Sequence, residues 1–188
     1  RIGGSYEDQQ ETFGDLIMLL VMIIILVYIV MASQFESFMS PFVIMFSIPF
    51  AFVGVLLGLW VTGTPLGTMG MIGILILMGI VVKNGIVLID YTILMRERGK
   101  SVAEASVIAA KSRLRPILMT TLTTVLGMVP MAIGQGEGSE MWRSLGMVVA
   151  WGLSISTLVT LVIIPTVYAS MASWQERRAA RKAAKKAA

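Results

Sequence analysis

The chain has 188 residues, 56% of them hydrophobic and only 14% charged, with a formal net charge of +4; this balance excludes an ordinary soluble domain and points to the membrane class. It contains neither cysteine nor histidine, which removes disulfide frameworks, Cys/His metal centres, thiol nucleophiles and imidazole bases together. Neither a cofactor nor a metal site is expected.

Arg1-Ile2-Gly3-Gly4 has no initiator Met and leads into a polar, acid-rich stretch ending at Asp15, not into an apolar leader. The chain therefore reads as a fragment of a longer one, with residues 1–15 outside the membrane. Leu16 begins an uncharged run that gives a first span over 16–33, close to the ~20 apolar residues a bilayer core requires. Gln34, Glu36 and Ser37 interrupt it, and a second span follows over 41–62. Pro49 lies inside that span and predicts a kink rather than a break, since neighbouring helices re-satisfy the freed carbonyl.

Thr62-Gly63-Thr64-Pro65 is a turn by composition. The third span, 66–95, measures about 45 Å at ~1.5 Å per residue and so projects past the bilayer. Ser101 and Glu104 have the spacing of a capping box, which starts a helix leading to the basic cluster Lys111, Arg113 and Arg115. Residues 96–115 are thus a helical loop, and the fourth span occupies 112–133. Gly134 to Ser139 form a loop, a fifth span covers 144–168, and residues 169–188 are a basic tail. The fold class expected is all-α, a polytopic bundle of five transmembrane helices.

Cations set the orientation. Arg96, Arg98, Lys100, Lys111, Arg113 and Arg115 fall between spans three and four, and Arg177, Arg178, Arg181, Lys182, Lys185 and Lys186 follow span five. Elsewhere only Arg1, Arg143 and the intramembrane Lys83 are basic. The positive-inside rule places both basic segments in the cytoplasm and the N-terminus outside. The tail is read as solvated or in touch with lipid headgroups of the bilayer, and no nucleic acid is needed to explain it.

Lys83 carries the strongest functional signal. A lysine at mid-span costs roughly 2.5–3.5 kcal/mol to insert and lies too far from either end to snorkel. Its bland reading is a lysine neutralised by burial or facing a passive water cavity; its functional reading is an ion pair or proton relay. Asn84 can bridge helices by hydrogen bonds. Asp90 shares a face with Lys83, but ~10.5 Å of rise separates them, too far for direct contact. On span four, Thr120 and Thr124 share a face beside Thr121 and Thr123, although membrane hydroxyls often bond only to their own backbone. Gly54 and Gly58 form a G-x-x-x-G pair suited to close helix packing, and Gly70, Gly73 and Gly79 suggest the same for span three. The loop at Gly134 lacks the P-loop spacing, and no His-Glu-x-x-His or Gly-x-Ser-x-Gly pattern supports an intramembrane hydrolase.

With Lys83-Asn84-Gly85-Ile86-Val87-Leu88-Ile89-Asp90 and Arg113-Leu114-Arg115-Pro116-Ile117-Leu118-Met119-Thr120, the chain resembles resistance-nodulation-division (RND) efflux permeases of the AcrB type. Ala32 to Phe38 is similar to that family's link between helices eight and nine. Leu126-Gly127-Met128-Val129-Pro130 and Gly136-Glu137-Gly138-Ser139 extend the resemblance to nearly the whole chain. It implies helices eight to twelve of twelve, preceded by the last stub of a periplasmic porter region.

The resemblance also implies a proton-driven antiporter of the bacterial inner membrane. Such a pump is a homotrimer that exports amphiphilic or xenobiotic compounds with a periplasmic adaptor and an outer-membrane channel. In the family's relay two aspartates of helix four meet a lysine of helix ten and an arginine and a threonine of helix eleven. The matching positions here are Lys83, Arg113 and Thr120, with Asn84 and Asp90 as supporting polar residues. For Arg113 a plain positive-inside role competes, and the resemblance favours a helix that runs on from Val102 through Pro116 and carries it into the membrane. The aspartate pair has no counterpart in this chain, so the N-terminal half of the same transporter is the partner implied. The alternative function, from a different class, is a structural or assembly module without autonomous transport.

Overall fold

A computed structural model of the chain describes residues 2–187, with side-chain surroundings for residues 6–182. Arg1 and the side chains of Lys185 and Lys186, which entered the charge pattern above, lie outside the described residues. The described residues form six helices: α1 (Ile2–Phe35), α2 (Met39–Met45), α3 (Ser47–Thr62), α4 (Thr68–Glu97), α5 (Val102–Ile133) and α6 (Ser139–Ala187). Five stretches are long and apolar enough to cross a membrane, α2 and α3 together forming one of them.

The boundaries follow local chemistry. α1 ends at Glu36, whose φ of 47° turns the chain left-handed. α3 ends at Gly63 with φ 61°, a conformation that costs glycine nothing because it has no Cβ. At the end of α4 the N–H of Gly99 donates to the Arg96 carbonyl at 2.9 Å and that of Lys100 to the Met95 carbonyl at 3.2 Å, which satisfies two orphan acceptors. α5 opens with a complete capping box, the Ser101 hydroxyl accepting from the Glu104 N–H and the Glu104 carboxylate from the Ser101 N–H.

Three details refine the sequence reading. The helix over 41–62 is interrupted at Phe46, not at Pro49 itself. The pyrrolidine ring displaces the carbonyl four residues back, that of Met45, so the irregularity falls one turn before the proline. Ser47 Oγ donates to the Ile44 carbonyl at 2.6 Å there. The basic cluster at Lys111 lies within α5, which runs unbroken from Val102 through Pro116 to Ile133 as the family resemblance implied, where hydropathy alone divided a loop from a span. Likewise the segment after residue 168 continues α6, which reaches 49 residues, about 73 Å at ~1.5 Å per residue.

α6 is the central helix, packed along α3, α4 and α5. Its neighbours' directions follow from the glycine contacts. A Cβ on Gly70 would meet Ser144, one on Gly73 Val148, one on Gly152 Leu77 and one on Gly85 Ile164. The partners rise together in number, so α4 and α6 run parallel. Gly54 faces Gly152 and Ile155 while Gly58 faces Trp151, and Gly146 faces Met131 and Ala132, so α3 and α5 are antiparallel to α6. The absent side chains let these backbones approach closely. Gly79 takes no part, since nothing lies within 4 Å of its Cβ position. Ser144 fastens the α3–α4 turn, donating to the Pro65 carbonyl at 3.1 Å. Among the described residues α1 packs on α2 and α4, leaving Ile17, Met22, Ile25, Leu26 and Ile29 exposed.

Candidate functional site

Helical register decides what each polar residue of α4 can meet. Successive residues turn by ~100°, and Gly70, Gly73, Leu77 and Gly85 define the face against α6. Asn84 falls on that face and is buried. Lys83, its neighbour in sequence, falls on the other side and is exposed. It emerges in an apolar groove of about 340 Å³ between α1 and α4, lined by Leu26, Val30, Met31, Gly79, Val82 and Val87. Asp90 stands two turns further along the same exposed stripe.

Arg113 is half-buried on α5, its guanidinium carbon 4.8 Å from the centroid of the Tyr91 ring on α4. Its Nε is buried without a hydrogen-bond partner among the described residues. Thr120 is exposed, and its hydroxyl donates to the Pro116 carbonyl at 3.0 Å. Thr123 and Thr124 return their hydroxyls in the same way to Met119 and Thr120. Thr121 is the one of the four that reaches across, meeting Thr157 of α6 at 3.1 Å in a buried pair.

Among the described residues no hydrogen bond or ion pair joins Lys83, Arg113 and Thr120, and the ion pair present is Arg96–Glu176 at 2.6 Å, between the ends of α4 and α6. Nor do any three carboxylates gather where a metal ion could sit among these residues. The polar groups therefore lie on two surfaces: the α1–α4 groove with Lys83, and the α4–α5 junction with Arg113. Tyr91, Tyr168 and the hydroxyls of α6 escaped the sequence reading, and Arg96 entered it only as a cation that sets the orientation. Their signal was present only as polar letters at helical spacing inside uncharged runs.

The sequence model of the AcrB/AcrD/AcrF family matches residues 1–172. The chain belongs to that family. Among its relatives in the family, the swarming motility protein SwrC of Bacillus subtilis (strain 168) is 41% identical over 177 residues, covering 94% of this chain. The multidrug resistance protein MdtC of Proteus mirabilis (strain HI4320) is 38% identical over 186 residues, covering 96% of this chain. The chain spans 17% and 18% of the lengths of those two proteins. A crystal structure of a heavy metal efflux pump superimposes with a TM-score of 0.80 at 32% identity, over 89% of this chain and 16% of that one. A second crystal form of such a pump gives 0.78 over 87% of this chain. The helical bundle of the matched pump structures is thus the fold of this multi-pass membrane chain.

Proposed function

We propose that the chain supplies one half of the proton-relay site of an RND efflux antiporter, with Lys83 as its charged element. The observation that carries this reading is the position of Lys83: exposed at the middle of a membrane-length helix, inside an apolar groove. An ammonium turned toward lipid at that depth costs roughly 2.5–3.5 kcal/mol, so this face has to be covered by groups that compensate the charge. Carboxylates from the remainder of the transporter subunit do so in the arrangement the family resemblance implies. Deprotonated, they attract the ammonium; protonated, they release it, and the change in charge biases the helices between two arrangements.

Arg113 and Thr120 stand on the adjacent helix, where Arg113 sets the local field and Thr120 offers a hydroxyl acceptor to the network. Asn84 and Asp90 are polar supports, and Gly54 and Gly58 keep α3 close to α6 so that the scaffold stays rigid. The whole protein would work as a homotrimer in the bacterial inner membrane, N-terminus of this chain periplasmic and C-terminus cytoplasmic, joined to a periplasmic adaptor and an outer-membrane channel. Its cargo is an amphiphilic or xenobiotic compound. Similarity to MdtC, a multidrug resistance protein, supports that class, whereas the structural relatives are heavy metal efflux pumps and favour a metal cargo.

The test is transport by the complete subunit reconstituted in vesicles. Export of a fluorescent amphiphile should follow an imposed proton gradient and stop when a protonophore collapses it. Export that ignores the gradient would refute proton coupling, and a reconstituted trimer that moves nothing would favour a purely structural module.

A further inference from the structure

Two buried hydroxyls of α6 behave differently from most others in the bundle. Thr92, Ser106, Ser154 and Thr166 each donate to the carbonyl four residues back, at 2.7 to 2.9 Å, the usual way for a membrane helix to satisfy Ser and Thr. Ser156 and Thr160 do not: both are buried, 1% and 2% exposed, and neither hydroxyl has a hydrogen-bond partner among the described residues. They are one turn apart, between Gly152 and Ile164, which both touch α4. Register therefore directs both hydroxyls into the α4–α6 seam.

Asn84 enters the same seam from α4. The pairs Gly73–Val148 and Leu77–Gly152 set the alignment, and one and two further turns along both helices bring Val81 level with Ser156 and Asn84 level with Thr160. Asn84 is 7% exposed and adds an acceptor oxygen and two donor protons. Thr157, the neighbour of Ser156, turns toward α5 and meets Thr121 at 3.1 Å. Polar groups from three helices thus share one depth, the depth of Lys83, and two of their hydroxyls are not bonded back to the backbone.

We infer that this seam is an internal water-binding site, in which Asn84, Ser156 and Thr160 hold a short string of water molecules that extends hydrogen-bonded contact from α4 toward the Thr121–Thr157 pair on α5. Buried hydroxyls left unpaired are costly in a low-dielectric interior, and a bound water with two to four polar partners is the common remedy. The site stands on side chains that the relay does not use, and it exists whether or not Lys83 couples transport.

Single cysteines at four α6 positions decide it, in the complete subunit otherwise free of cysteine. A thiol alkylates through its thiolate, which forms only where water reaches it. Ser156→Cys and Thr160→Cys should react with N-ethylmaleimide at least about tenfold faster than Val149→Cys and Leu153→Cys, equally buried apolar positions on the same helix. Equal, slow labelling of all four overturns the proposal. A second readout does not depend on reagent access: the double variant Ser156→Ala, Thr160→Val removes both hydroxyls at nearly constant volume. If water is held there, its bonds are lost and the melting temperature falls. If the seam is dry, two unpaired hydroxyls are relieved, and an unchanged or higher melting temperature contradicts the proposal.

Discussion

Arg113 of α5 stacks its guanidinium over the ring of Tyr91 on α4, 4.8 Å from the centroid, while its Nε stays buried without a partner among the described residues. This contact carries a basic residue into the helix junction, as the unbroken course of α5 through Pro116 requires. The aromatic face compensates part of the desolvation that a cation meets there. Tyr91→Phe should preserve the stack. Tyr91→Leu should lose it, at about 0.5–2 kcal/mol of stability. Thermal unfolding in detergent micelles measures both, and equal behaviour of the two variants would show that the stack contributes nothing.

Close approach of α3 to α6 gives a second expectation. A Cβ at Gly58 would collide with the Cβ and Cγ of Trp151, which lie near the helix axis and cannot swing away. Gly58→Ala should therefore force the helices apart and cost about 1–3 kcal/mol. At Gly127 nothing lies within 4 Å, and Gly127→Ala should be neutral or gain about 0.8–1 kcal/mol from helix propensity. The same melting assay separates them, and the reverse order would mean that the α3–α6 packing is wrong.

Topology is open to labelling because the chain has no cysteine of its own. Ser139 and Ser173 lie on α6 on either side of the expected span 144–168. With the basic segments cytoplasmic, as the positive-inside rule directs, Ser139→Cys should react with a membrane-impermeant maleimide from the periplasm and Ser173→Cys only after the membrane is opened. Labelling of Ser139→Cys from the cytoplasm alone reverses the orientation.

The exposed face of α1 and the Lys83 groove together predict dependence on a partner. Leu26 and Val30 of α1 and Lys83 of α4 line one groove that the chain itself leaves uncovered. Coexpression with the N-terminal half of the transporter should raise both the yield and the protease resistance of this chain. Equal stability with and without that half would show that the groove is satisfied by lipid.

Much of the bundle could be read from the letters because hydropathy and length are local properties: uncharged runs from Leu16 and from Leu145 become long helices, and Ser101 with Glu104 marks the start of α5 by chemistry alone. The interruption at Phe46 was harder to place, since Pro49 acts on a carbonyl one turn away and the identity of Phe46 gives no sign of it. Lys83 was conspicuous as a charge inside an apolar run, yet sequence could not say which way it faced. That depends on Gly70, Gly73 and Gly85 packing on α6, which turns Asn84 inward and Lys83 outward. Ser156 and Thr160 were hidden in an uncharged span because a hydropathy window averages two hydroxyls away. Their lack of a partner is a rotamer property visible only in three dimensions.

Lys83→Met in the complete, reconstituted subunit decides whether the lysine couples proton entry to export. Methionine removes the charge and favours insertion, so the variant should reach the membrane at least as well as the parent. Proton-driven export of a fluorescent amphiphile is measured per folded trimer. Export should be abolished in Lys83→Met and impaired in Lys83→Arg, because a planar fork does not reproduce a compact ammonium. Export by Lys83→Met at the parental rate would contradict the relay and leave Lys83 a structural residue.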